Sequence, residues 1–314
     1  MVDISNCGRR CWLVLASYLR GFGQVMFCDN VLSGLLFVIG IFWGAYVCGT
    51  PIMACGAVVG CFVSTLTGYF SEPCKENGVI GLWGFNGVLI GCAFPVFFAD
   101  TWQMWAMLVF CAMLSVWARE GFDRVLSVFG LSSYTFSFVG ITWLVLQSAS
   151  MIDGLCFLIP DGVQPYVVVD VETIVVGWLK GVSQVFLIDS WQTGVIFFIA
   201  LLLNNRIAAM WVAVASALSM CVSFVAGLPE SDIVRGLYSF SPVLTAIAVG
   251  CSFDRQTWRS VFLTLTAIIT TVLVQIAMTK LLMPYGVAVL TGPFCVTAWM
   301  FMLPKYYRGV DIKE

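Results

Sequence analysis

The chain reads as a succession of apolar runs separated by short polar breaks. In the first part the runs cover 33–49, 51–69, 79–98, 101–118 and 131–152. In the second they cover 193–203 with its flanks, 207–227, 236–253, 260–282 and 284–303. A helix needs about 20 predominantly apolar residues to cross the hydrocarbon of a bilayer, so the pattern predicts about five transmembrane helices in each half. Between the halves, IDGLCFLIPDGVQPYVVVDVET (152–173) is broken by prolines and acidic residues and reads as an extramembrane linker. The expected division is therefore 1–152, a linker at 153–173, and 174–314. The start, NCGRRCWLVLASYLRG, has the basic-then-apolar form of a signal peptide, but its run is short and no small-x-small cleavage site follows. It is expected to stay on the protein, with 12–27 forming a re-entrant or interfacial helix.

The two halves repeat each other. GLWGFNGVLIG begins at Gly81 and GLYSFSPVLTA at Gly236. RGFGQVMFCDNVLSGLLF at Arg20 matches KGVSQVFLIDSWQTGVIF at Lys180, and TFSFV at Thr135 pairs more weakly with TGPFC at Thr291. Three motifs in the same order at a nearly constant offset indicate an internal duplication. An odd number of spans per half forces the second half to start on the opposite side of the membrane, which makes the repeats inverted. Charge agrees. With the N-terminus in the cytoplasm, Arg9, Arg10, Arg20, Lys75, Arg119, Arg124, Arg206, Arg255, Arg259, Lys305, Arg308 and Lys313 fall inside, and of the 15 basic residues only Lys180, Arg235 and Lys280 fall outside. Both termini are expected to be cytoplasmic. Inverted repeats place substrate sites at the repeat interface, where broken helices point inward.

Composition narrows the classes. The chain is 61% hydrophobic and 10% charged, with a mean hydropathy of +0.98; lipid is the expected partner for most of its surface. A net charge of −2 argues against nucleic acid. Without a single histidine, His-dependent triads and His metal sites are excluded. The 13 cysteines lie mostly in apolar runs with no CxxC pair and read as packing residues, not as metal ligands or disulfides. No cofactor, metal or catalytic residue is expected. The fold class is an all-α polytopic membrane protein: two inverted repeats of about five spans each, with re-entrant or interfacial half-helices around a central pore.

The repeated motifs carry the candidate chemistry. GFN and SFSP put helix-breaking residues in apolar runs, and the freed backbone groups are tolerated only where protein or a wet cavity satisfies them. Gln24 and Gln184 end apolar stretches and offer uncharged donors and an acceptor. Interhelical contacts are the plainer reading of such glutamines. Thr135 and Thr291 offer hydroxyls, plainly read as bonded back to their own helices. Phe27, Phe85 and Phe240, with Leu89, Leu187 and Leu244, would form flat apolar walls; singly they are core or lipid-facing residues. Asp29 and Asp189 read as caps of the helices that follow. Taken together, duplicated amides, hydroxyls, carbonyls and rings imply a small, uncharged, polar, planar substrate.

GFGQVMFCDNVLSGLLF, STLTGY, GLWGFNGVLIG, GLYSFSPVLTAIAVG and LTGPFC resemble the urea transporter family, and the likeness covers nearly the whole chain. The compact form resembles the bacterial members, which implies a bacterial inner membrane. The resemblance further implies homotrimers with one pore per protomer and passive passage of urea through a narrow filter. In that filter Gln24 and Gln184 would bind urea near the ends. Phe27, Phe85 and Phe240 would form slots beside Leu89, Leu187 and Leu244, and Thr135 and Thr291 would mark the constricted middle. Leu187 stands where the first half has Phe27, and Gln184 where some bacterial members carry glutamate. The alternatives are a proton-coupled transporter, or a channel for another small neutral solute such as water, ammonia or short amides.

Overall fold

A computed structural model of the chain describes residues 4–71, 75–158, 169–253 and 255–307, without the side chains of 4–11, 75 and 305–307. Arg308, Lys313 and 159–168 of the expected linker lie outside the described residues. The first part contains α1 (Ile4–Gln24), α2 (Val31–Val47), α3 (Pro51–Ser71), α4 (Lys75–Val79), α5 (Phe85–Phe97), α6 (Trp102–Ser127) and α7 (Phe136–Ser148). The second contains α8 (Val171–Ser183), α9 (Trp191–Asn204), α10 (Arg206–Val225), α11 (Glu230–Val234), α12 (Phe240–Gly250), α13 (Trp258–Leu282) and α14 (Gly292–Tyr307). Element by element, the second series follows the first. No strand forms among the described residues.

Among the described residues four helical segments are long and apolar enough to cross a membrane: Pro51–Ser71, Trp102–Ser127, Arg206–Val225 and Trp258–Tyr285. A fifth arises if α8 and α9, bent by 74° at their junction, count as one broken span. The expected runs at 79–98, 131–152, 236–253 and 284–303 are not continuous helices. In each, a non-helical stretch precedes a half-helix of 11 to 16 residues: α5, α7, α12 and α14. The local cause is visible in the sequence. Gly81 (φ 89°) and Gly236 (φ 75°) adopt the left-handed conformation that glycine takes without steric penalty, and so hold the turns before α5 and α12.

Close packing supports the half-helices. A Cβ on Gly60 of α3 would lie 2.1 Å from the Gly87 carbonyl oxygen of α5, so the two backbones touch where a side chain would part them. Ser33 of α2 donates to the Ala200 carbonyl of α9, joining the two halves. The perimeter is apolar: Trp102, Phe110, Val125, Phe262 and Leu273 are exposed. Residues of this kind on an outer surface match a lipid solvent. The chain is an all-helical, polytopic membrane protein.

Candidate functional site

Two duplicated turns frame the site. α1 ends at Gln24, and the chain reverses through Phe27, which sits at φ 60°. α8 ends at Ser183, a 3-10 turn covers Gln184–Phe186, and Leu187 also sits at φ 60°. A non-glycine residue in this region costs energy and persists only where its surroundings hold it. Here the hold is matched in both halves. Gln24 Nε2 donates to the Ile80 carbonyl at 2.8 Å, and Gln184 Nε2 to the Arg235 carbonyl at 3.0 Å. Each glutamine is thus tied to the backbone beside a duplicated Gly-Leu-aromatic turn.

A second matched pair forms the centre. Residues 131–133 and 287–289 run without helix into Tyr134 (φ 49°) and Leu290 (φ 51°), each followed by a threonine and a half-helix. Trp143 Nε1 donates to the Ala288 carbonyl and Trp299 Nε1 to the Ser132 carbonyl, both at 2.9 Å. Thr135 is the N-cap of α7, yet its hydroxyl makes no capping bond. Instead Thr135 Oγ1 lies 2.7 Å from Thr291 Oγ1 and 3.4 Å from Cys295 Sγ. Both threonines are buried.

Each threonine lines a different cavity. One, of about 560 Å³, is lined by Gln184, Leu187, Phe240, Leu290 and Thr291 among others. The other, of about 160 Å³, is lined by Gln24, Phe27, Phe85, Tyr134 and Thr135 among others. Eight of the ten residues singled out in the sequence therefore face these cavities, four in each. Leu89 and Leu244 do not; they are fully buried one helical turn after Phe85 and Phe240. The Phe27 ring lies 6.1 Å from that of Tyr134 and 6.2 Å from that of Phe294, edge to face.

Contacts across the halves are reciprocal. Trp143 reaches back to Ala288 while its counterpart Trp299 reaches Ser132. Ser33 donates to Ala200 while its counterpart Thr193 donates to Gly40. Two pairs meet their own counterparts: Thr135 with Thr291, and Phe37 with Phe197, whose ring centroids are 4.8 Å apart. Reciprocity with self-pairs is what a two-fold axis produces.

Charged residues that the sequence reading did not single out as site candidates also line the cavities. Arg119 and Asp123 line the smaller cavity, with Nη1 3.2 Å from Oδ2. Asp189, Asp232 and Arg235 line the larger. Spacing offered a signal: Tyr134 and Leu290 stand immediately before the paired threonines. The capping role expected of the two aspartates is corrected. Asn30 and Ser190 cap α2 and α9, because they hold extended backbone with side-chain oxygen in reach of the first helical N–H groups. Asp189 instead binds Lys180 Nζ at 2.7 Å and Arg235 Nε at 2.9 Å. The Asp29 carbonyl accepts from Arg20 Nε. Of the ten cysteines described, all are free and five are buried.

The chain as a whole has known relatives. A family model described as "UT: Urea transporter" matches residues 15–306. Urea transporter 1 of Rattus norvegicus is 28% identical over 309 residues, covering 92% of this chain and 78% of the relative. Urea transporter 1 of Ovis aries is 26% identical over 306 residues, with the same coverage. A match that extends from within α1 into α14 takes in every element that shapes the two cavities, and on that ground the chain belongs to the urea transporter family.

Proposed function

We propose that the protein passes urea through the membrane as a passive, channel-like pore, with the two cavities as vestibules and Thr135–Thr291 as the constriction. The observation that carries this is the direct hydroxyl pair between two cavities, each bearing a glutamine and a phenylalanine. Shedding water into an apolar passage costs urea several kcal/mol unless new bonds replace the old. The non-helical segments at 131–133 and 287–289 supply carbonyls, Gln24 and Gln184 supply amides, and the threonines supply hydroxyls. Phe27, Phe85 and Phe240 give flat surfaces that fit a planar molecule, and the aliphatic Leu187 widens the slot opposite. Leu89 and Leu244 back the rings from behind. Cations meet the positive ends of α7 and α14 at a neutral constriction, so their dehydration stays uncompensated.

The same geometry supports inverted repeats. A path joining two cavities that a two-fold axis exchanges must cross that axis at right angles. A path across the membrane therefore puts the axis in the membrane plane and the halves in opposite orientation. On this reading both termini are cytoplasmic, the larger cavity opens outward, lipid covers the apolar perimeter, and the assembly is a homotrimer in a bacterial inner membrane with one pore per protomer. Stopped-flow urea flux in proteoliposomes tests the function, with acetamide and glycerol as comparison solutes. Flux is expected to follow the urea gradient alone. Uptake driven by a pH gradient or by membrane potential would sink the passive reading, because urea carries no charge to couple.

A further inference from the structure

One of the breaks in the two-fold pattern near the constriction is a difference in charge. α6 and α13 are counterparts in register: Thr101 and Thr257 cap them, and Trp102 and Trp258 start them. In that register Arg119 corresponds to Gln275 and Asp123 to Thr279, and all four line the cavities. One vestibule thus carries a charged pair where the other carries a neutral one. Gln275 donates to the Leu237 carbonyl. Asp123 does something different: its Oδ1 accepts from the Ser133 backbone N–H at 2.7 Å while its Oδ2 meets Arg119.

Ser133 is buried, so its N–H requires an acceptor. It also immediately precedes Tyr134, a left-handed non-glycine residue that only its surroundings can hold, and Tyr134 precedes Thr135. A carboxylate supplies the acceptor. Ionised side chains within spanning segments pair with one another, and Arg119, with its side chain 5% exposed, is the partner here. The chain of contacts runs Arg119, Asp123, Ser133, Tyr134, Thr135.

We propose that Arg119 and Asp123 are a positioning pair that sets the Thr135 side of the constriction, and with it the size selectivity of the pore, from the smaller vestibule alone. The selectivity part rests on the urea-channel reading; the positioning part does not. Three variants test it: Asp123→Ala, Asp123→Asn, and Arg119→Gln combined with Asp123→Thr. The last installs the pair that already serves in the other vestibule, so it remains informative if the alanine variant does not fold. The comparison is Arg124→Gln, which removes a neighbouring exposed ion pair of α6.

Two readouts are needed. The first is the permeability ratio of N-methylurea to urea in proteoliposomes, which the number of folded channels does not affect. It is expected to rise about tenfold or more in Asp123→Ala and in the double variant, on the scale of one lost hydrogen bond to a charged group. Asp123→Asn, which keeps an oxygen for Ser133, should lie between these and the parent, and Arg124→Gln should equal the parent. The second is deuterium uptake of a peptide spanning 131–136, expected to quicken in the first and third variants. An unchanged uptake overturns the positioning role whatever the permeant is. An unchanged ratio in a parent that conducts urea overturns the selectivity role. A parent that passes no urea defeats the channel reading while leaving the uptake result to decide the positioning pair.

Discussion

Thr135 and Thr291 are each other's hydrogen-bond partner, at 2.7 Å, and this changes what their removal should do. When urea occupies the constriction, the mutual bond is replaced by one bond from each hydroxyl to urea. Two bonds form and one breaks, a net gain of one, worth about 1 kcal/mol. In Thr135→Val no mutual bond exists, and Thr291 alone bonds urea: one forms, none breaks, and the net gain is again one. The same holds for Thr291→Val. Each single variant should therefore conduct within about threefold of the parent, the spread of a typical net bond. The double variant makes none of these bonds and leaves urea groups unpaired in a buried place, a loss of about 1–3 kcal/mol. That corresponds to a drop of about 5-fold to 150-fold, taking tenfold per 1.4 kcal/mol. The double-mutant cycle is then strongly non-additive, as expected for residues in direct contact. The assay is stopped-flow urea efflux from proteoliposomes at matched protein density. A tenfold loss in either single variant, with no further loss in the double, would refute the exchange of bonds. A double variant at the parental rate would move the limiting step elsewhere.

Gly60→Val should destabilise the fold by about 1–3 kcal/mol or more, since its Cβ would press on the Gly87 carbonyl; thermal unfolding in detergent measures this. Trp143→Phe and Trp299→Phe each strip an indole donor from the segment leading into the constriction, partly buried at Ala288 and exposed at Ser132. Two-fold equivalence predicts similar losses of urea flux for both, and a loss confined to one would contradict it. Asp170 caps α8, and the Thr173 backbone N–H together with its hydroxyl holds the carboxyl below the usual carboxylate range. Its contribution is present above the unfolded carboxylate pKa of about 3.9 and is lost as pH falls through the lower folded value. Protection at the start of α8, taken as the exchange rate relative to that of an unstructured peptide at the same pH, should accordingly fall at strongly acidic pH in the parent, and already at neutral pH in Asp170→Ala.

Much of this was legible in the chain. Apolar runs separated by polar breaks determined the membrane as solvent, because a chain with 10% charged residues cannot face water over most of its surface. The repeated Gln, Gly-Leu-aromatic and Thr motifs marked the residues that later lined the cavities, because the same local turn needs the same residues twice. Periodicity did not reveal that α5, α7, α12 and α14 are half-helices, since an apolar run has the same composition whether or not its first turn is helical. Nor could the linear order show which partner a polar group takes. Asp189 looked like a cap but meets Lys180 and Arg235. Arg119 counted in the sequence only as an inside basic residue, and Asp123 gave no signal of its own until the fold set it against Ser133. The meeting of Thr135 with Thr291 belongs to tertiary structure alone: a hydroxyl is directed and short-ranged, and only the packing of α7 and α14 brings those oxygens, 156 residues apart in the chain, within bonding distance.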